Sequence, residues 1–415
     1  MKVDIVNRAL ILLGVTWIVV GTVVVFAGNF LLVQFGEISA RSREMVTIAV
    51  GGCALLLVCW GAITIAYGSK KIVMNLNLCL ASLVIASPVL MESTLRVGIA
   101  FGPSVFRIPG LYSNPFSDDD YYKLRVLWGL DDNNGFNSGL EYDPILGWAY
   151  KRTPENLLGV LADTSYLPEG KEESVLFYGD SFLVAGNLLA GSIPQQLGRL
   201  LPHKQVYNFG VPGYGLDQIY LRFKQSHHHF VKPIVLAGIL TLDMDRCILK
   251  YRSGRPKPYF LIEQEQLVLR GVPVEIDNHS YLIQHPVGIF SYLGAALVQF
   301  VRYVETGASL VESQHLRGEI AQISKQIIEG IVREAQNRGM DLRFIIFVPT
   351  SGGGWRKAFL IREIEHWKIP YLDTETILTE AMPQSGNFSL YYDESQHHTE
   401  LANGIIARAI AEHLL

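Results

Sequence analysis

The apolar residues of this chain are unevenly spread, and three long runs crowd its first hundred positions. Residues 9–33 hold one amide and no charge, residues 45–67 hold no charge, and residues 72–91 are apolar apart from Asn75, Asn77 and serines. Each reaches the roughly 20 residues that a helix needs to cross about 30 Å of hydrocarbon, so the pattern predicts three transmembrane helices. A cleaved signal peptide has a shorter apolar core and does not come in threes. Lys2 and Arg8 precede the first run, and Lys70 and Lys71 separate the second from the third. They favour an N-terminus inside, against the weaker pull of Arg41 and Arg43, and so place the rest of the chain outside the cytoplasm. The expectation is an integral protein of a bacterial inner or plasma membrane, with a periplasmic or extracellular domain.

Beyond this anchor (1–105) the pattern changes twice. Residues 106–140 are rich in Gly, Pro, Ser, Asn and Asp, and 106–172 reads as an irregular linker and lead-in. From 173 to 415, short apolar strands alternate with helical spacings. Strands are predicted at 174–179, 205–210, 233–240, 342–349 and 369–373, and helices at 192–201, 216–230, 316–337 and 399–414. Near-continuous apolar strands between helices argue for a parallel sheet covered on both faces. A hairpin insertion over 257–276 breaks the rhythm. Residues 289–304, apolar and too short to span, read as a buried helix, with a lid or a helix on the bilayer surface as alternatives.

Composition adds exclusions. With 49% hydrophobic and 18% charged residues and a net charge of −4, the chain is neither disordered nor a basic nucleic-acid binder. The four cysteines form no CxxC, and Cys53, Cys59 and Cys79 fall inside the apolar runs. The acidic residues of SDDD at 117–120 and of DDNNG at 131–135 lack calcium-loop spacing. His227, His228 and His229 are consecutive and face different ways, so no metal is implied, and no organic cofactor either.

Three segments carry candidate chemistry. Gly179-Asp180-Ser181-Phe182 follows the first strand, where ligands of parallel sheets bind. A serine there attacks a carbonyl only if a base takes its proton. Asn208-Phe209-Gly210-Val211-Pro212-Gly213-Tyr214-Gly215 follows the second strand, and its glycines free an N–H for an oxyanion. Asp393-Glu394-Ser395-Gln396-His397-His398 precedes the last helix, with carboxylates close enough to fix a histidine tautomer.

Together, GDSF at 179–182, NFGVPGYGLDQ at 208–218, the block at 238–246 and the C-terminal His followed by TELANGIIARAI resemble the SGNH, or GDSL, family of serine esterases and acyl-transfer enzymes. YDPILGW at 142–148 is similar to the lead-in of many bacterial members. The resemblance covers about 141–415 and implies a flavodoxin-like α/β/α sandwich of about five parallel strands. It implies Ser181 as nucleophile, His397 as base, and Ser181 N–H and Gly213 N–H as oxyanion donors, with Asp180, Asn208 and Arg246 in support. Two departures stand out. The third block has Asp243 where the family has an oxyanion-donating Asn, and an ionised carboxylate donates nothing. Protonation by burial, or the charge of Arg246, would have to compensate. The acid three residues before the histidine is Glu394 rather than Asp. Choosing His398 as base would put Ser395 there, so His397 with Glu394 is preferred, and Asp393 is the substitute. The implied function is ester hydrolysis or O-acyl transfer on an acylated envelope glycan or lipid. The alternative is a degenerate binding partner in an envelope-assembly complex.

Overall fold

The structure, a computed structural model, describes residue 62 and residues 87–415 except 131–138, 162–172, 185–188, 307–313, 351 and 383–387. Apart from residues 62 and 87–91, the three apolar runs lie outside the described residues. Among the described residues no helix is long and apolar enough to cross a membrane. The chain divides into two compact units, Met1–Pro115 with Gly288–Val311, and Phe116–Val287 with Glu312–Leu415.

The second unit holds strands β1 (Leu140–Asp143), β2 (Gly147–Tyr150), β3 (Ser174–Tyr178), β4 (Gln205–Asn208), β5 (Ile234–Leu240), β6 (Tyr251–Arg252), β7 (Arg255–Pro256), β8 (Tyr259–Glu263), β9 (Gln266–Arg270), β10 (Asp341–Phe347) and β11 (Tyr371–Asp373). Five of these form one parallel sheet in the order β11-β10-β5-β3-β4. Counted along the chain, that order is 2-1-3-4-5, the doubly wound flavodoxin-like arrangement. β1–β2, β6–β7 and β8–β9 are separate antiparallel pairs, the last being the expected hairpin.

Besides a helical stretch over 87–101, the described residues hold α1 (Asp119–Leu127), α2 (Ile193–Leu200), α3 (Leu216–Ser226), α4 (Asp243–Arg246), α5 (Asn278–Gln284), α6 (Tyr292–Thr306), α7 (Gln314–Asn337), α8 (Gly354–His366), α9 (Thr374–Glu380) and α10 (Glu400–His413). Alternate strand residues feed two cores. Leu176, Tyr178, Val235 and Phe344 pack with Ile219 of α3, Ile327 of α7 and Leu360 of α8. Val175, Phe177, Leu236 and Ile345 pack with Leu197 of α2, Leu378 of α9 and Ile406 of α10. Both faces are therefore buried, which explains strands that read as continuous apolar runs. The helices start where local chemistry says: Ser192 caps α2 by accepting from Gln195 N with Pro194 in the first turn, and Thr399 caps α10 by accepting from Ala402 N.

Two readings change. The hairpin insertion over 257–276 is as expected, but the linker is not irregular throughout. The polar stretch 106–172 contains α1 and the β1–β2 hairpin. Residues 289–304 form most of α6, but Leu297, Val298 and Val301 lie in the open instead of in a core.

Candidate active site

The sheet's strand order reverses beside β3, and the loops after β3, β4 and β5 meet at that switch point. β3 ends in Gly179, where a Cβ would lie 2.6 Å from the Leu183 side chain and 2.8 Å from Gly238 O. The chain thus passes too close to β5 for any side chain. Asp180 is fully buried and its Oδ1 accepts from Phe182 N at 2.9 Å, capping a single 3-10 turn, Ser181–Leu183. Asp180 O accepts from Leu183 N. In a trans peptide the Ser181 N–H therefore points the opposite way, out of the turn. Asn208 ties this turn to the next loop, its Nδ2 donating to Leu183 O and its Oδ1 accepting from Gly210 N.

The structure brings Ser181 and His397 together, with Oγ and Nε2 2.8 Å apart across 216 positions of sequence. The other ring nitrogen, Nδ1, lies 2.9 Å from Ser395 Oγ, and Ser395 Oγ lies 2.6 Å from Asp393 Oδ1. Asp393 Oδ1 also accepts from Ser395 N and His397 N. The proton order follows from the inventory of donors. An ionised Asp393 only accepts, so Ser395 gives it its proton and accepts from Nδ1–H in turn. Nε2 is then left with the lone pair facing Ser181. Burial raises the Asp393 carboxyl, but the hydrogen bonds from Ser395 and His397 outweigh it and leave the group below its ordinary value.

Glu394 is exposed and makes no contact with the His397 ring, so the preferred acid gives way to Asp393 acting through Ser395. Ser395 is the residue that sequence reasoning passed over. Its signal was the alternation Asp393, Ser395, His397, which puts three polar side chains on one side of a tight turn. His398 faces the core, edge-on to the Phe182 ring at 4.9 Å. Burial, and then the charge of His397, push it down to about 3, and neither ring nitrogen has a hydrogen-bond partner.

Asp243 does not serve as an oxyanion donor. Its Oδ2 accepts from Leu240 N at 2.9 Å and its Oδ1 meets Arg246. Burial, then the Asp180 charge, push its carboxyl well above the ordinary value despite the downward pull of Arg246; the contacts themselves argue the other way. With both oxygens accepting from donors, the carboxylate form is the one these contacts fit. Arg246 Nη1 also donates to Asp180 Oδ2 and to Tyr214 O, each at 2.8 Å. One guanidinium thus pins the loops after β3, β4 and β5 at the switch point. Arg246 is committed to this clamp.

The Gly213 N–H is held differently. Its peptide partner, Pro212 O, accepts from Trp148 Nε1 at 3.0 Å. Trp148 is buried in β2 and packs edge-on to Tyr214, whose hydroxyl bonds back to Trp148 O. With its carbonyl anchored there, the Gly213 N–H faces away from Trp148. Gly213 has φ +81°, and a Cβ would crowd Ser253 Oγ at 3.0 Å. Arg252 Nε grips Gly213 O at 3.0 Å. Among the described residues, neither the Ser181 nor the Gly213 N–H is taken by a hydrogen-bond partner. The YDPILGW segment thus supplies the anchor for this loop, a role its sequence alone did not reveal.

The arrangement is a serine–histidine pair at the carboxyl ends of a flavodoxin-like sheet. Solved structures similar to this chain include a member of the lipolytic protein G-D-S-L family from Veillonella parvula, with 12% identity, 58% of this chain and 97% of that chain covered, and a TM-score of 0.34. They also include the psychrotrophic esterase EstA from Pseudoalteromonas sp., with 11% identity, 58% and 96% covered, and a TM-score of 0.34. No family model and no curated protein matches the sequence.

Proposed function

We propose that this chain is a membrane-anchored serine esterase or O-acyltransferase of SGNH type, acting on an acylated envelope glycan or lipid outside the cytoplasm. The observation that carries the proposal is the 2.8 Å contact between Ser181 Oγ and His397 Nε2. His397 Nε2 takes the Ser181 proton as Oγ attacks the ester carbonyl carbon. The carbonyl oxygen gains the electron pair and is held by the Ser181 and Gly213 N–H groups. As the tetrahedral adduct collapses, the leaving alkoxide takes the proton from His397, and acyl-Ser181 remains. Water or an acceptor hydroxyl then repeats the cycle in reverse. The three uncharged N-terminal runs support a substrate at or near the membrane.

One observation favours a second reading, a binding protein without catalysis: Asp243 sits at the family's amide-donor position and is locked to Arg246. A fluorophosphonate probe separates the two. Stoichiometric labelling of Ser181 that is lost in His397→Ala supports the enzyme. No labelling of the folded full-length chain, at any pH between 6 and 9, supports the binder.

A further inference from the structure

The first unit joins two helical segments through a single carboxylate. Residues 87–101 are helical, and Glu92 on them receives the start of α6. Glu92 Oε2 accepts from Leu293 N at 2.8 Å and from Ser291 Oγ at 3.0 Å, and Oε1 accepts from Tyr292 N at 3.2 Å. The open amides at the head of α6 are thereby satisfied from another part of the chain. Arg96, one turn on, holds Glu92 at 2.7 Å, donates to Phe290 O and lies over the Tyr292 ring at 5.6 Å. The start of α6 is fastened to residues 92–96.

What this fastening holds is an open apolar surface. Phe290 is 94% exposed, and Leu297 (51%), Val298 (48%) and Val301 (50%) share one face of α6. Val89, Leu90 and Met91 are also exposed, at the end of the third apolar run. α6 has 15 residues, a length of about 22 Å, short of the roughly 30 Å needed to cross hydrocarbon.

We propose that α6 lies along the bilayer surface, with Phe290, Leu297, Val298 and Val301 in contact with phospholipid. The inference rests on reading 72–91 as a span. Residue 91 then marks the end of the hydrocarbon, and Arg96 lies five positions further on. At 1.5 Å per residue this is about 8 Å, the depth of one headgroup layer. The Glu92–Arg96 clamp therefore sets the head of α6 at the polar–apolar boundary, where a one-sided apolar helix binds in the plane. Lipid is the occupant because the chain outside the described residues runs into this point as an uncharged segment long enough to reach across the membrane.

The test uses the full-length chain in nanodiscs of phosphatidylethanolamine and phosphatidylglycerol, with photoreactive benzoylphenylalanine placed singly at Leu83, Val298 or Val231. Val231 is exposed and belongs to the other unit. Lipid adducts at Leu83 and Val298, each at least tenfold above Val231, are expected. An adduct at Leu83 with none at Val298, or a Val298 adduct joined to the chain's own first 86 residues, overturns the surface helix and leaves the span standing. Lipid adducts absent from Leu83 overturn the span, and the inference with it.

Discussion

The two sides of Ser181 are built by different means. The imidazole side is local and open: Asp393, Ser395 and His397 lie within five positions, and Asp393 and Ser395 are exposed. The opposite side is long-range and dry. Asp180, Asp243, Arg246, Trp148 and Tyr214 come from four segments, and all except Arg246 are fully or nearly fully buried. A local polar turn is tuned by hydrogen bonds that water contests, so its losses are graded. A buried charge network has no such substitute, and breaking it unsettles the loops it joins. The first side should therefore control rate, and the second both rate and stability.

The largest effect is expected from the pair that links the two sides. Ser181→Ala and His397→Ala should each lower ester turnover about 10³-fold or more, and the double variant should be little worse, because the two act as one unit. Steady-state hydrolysis of a nitrophenyl ester reads this, and additive losses would mean that the residues work separately. Next comes the clamp. Arg246→Met leaves Asp180 and Asp243 buried without their shared counter-charge and should cost about 3–5 kcal/mol of unfolding free energy. Adding Asp243→Asn removes one orphaned charge and should restore part of it. If chemical denaturation finds the double variant no more stable than the single, charge is not what holds the loops together.

The contrast sharpens within the turn. Ser395→Ala should reduce kcat about 10-fold, the worth of one hydrogen bond to the imidazole. Glu394→Gln should change it less than about twofold, in keeping with an exposed charge away from the ring. The reverse ranking would return the acid's role to Glu394. On the dry side, Trp148→Phe keeps an aromatic ring, though a smaller one, and removes the N–H that anchors Pro212 O. A loss in kcat of about 10-fold with KM nearly unchanged is expected if that anchor aims the Gly213 N–H.

The same division decided what the sequence made legible. All five sheet strands, and helices α2, α3, α7 and α10, followed from apolar period and caps, because burial on both faces writes itself into consecutive residues such as Val175, Leu176 and Phe177. Ser181, Gly213 and His397 stood out through their motifs. In the third block the sequence named both Asp243 and Arg246, but not that the guanidinium, three residues on, binds the carboxylate and joins it to the neighbouring loops. Ser395 was missed because a serine beside two carboxylates looks like ordinary turn chemistry. Trp148 was missed because its contact spans 64 positions, which no local pattern encodes.

The last test concerns stability rather than rate, and it turns on adjacent histidines. His397 faces the serine, whereas His398 faces Phe182, Phe347 and Tyr392. Burial holds His398 down to about 3, from an ordinary value near 6.5, so the folded chain keeps it neutral. Unfolded chains protonate this ring as pH falls through about 6.5 while the folded chain does not, so acidification draws the equilibrium toward unfolding until pH reaches about 3. His398→Phe fits the same aromatic slot and should change stability at pH 8 by less than about 1.5 kcal/mol. The variant should lose less stability than the parent between pH 6.5 and pH 4, with ester turnover at pH 8 unchanged within about twofold. Parallel loss in both proteins over that range would show that His398 is protonated in the fold, and the dry side would then have to reach one residue less far than the geometry indicates.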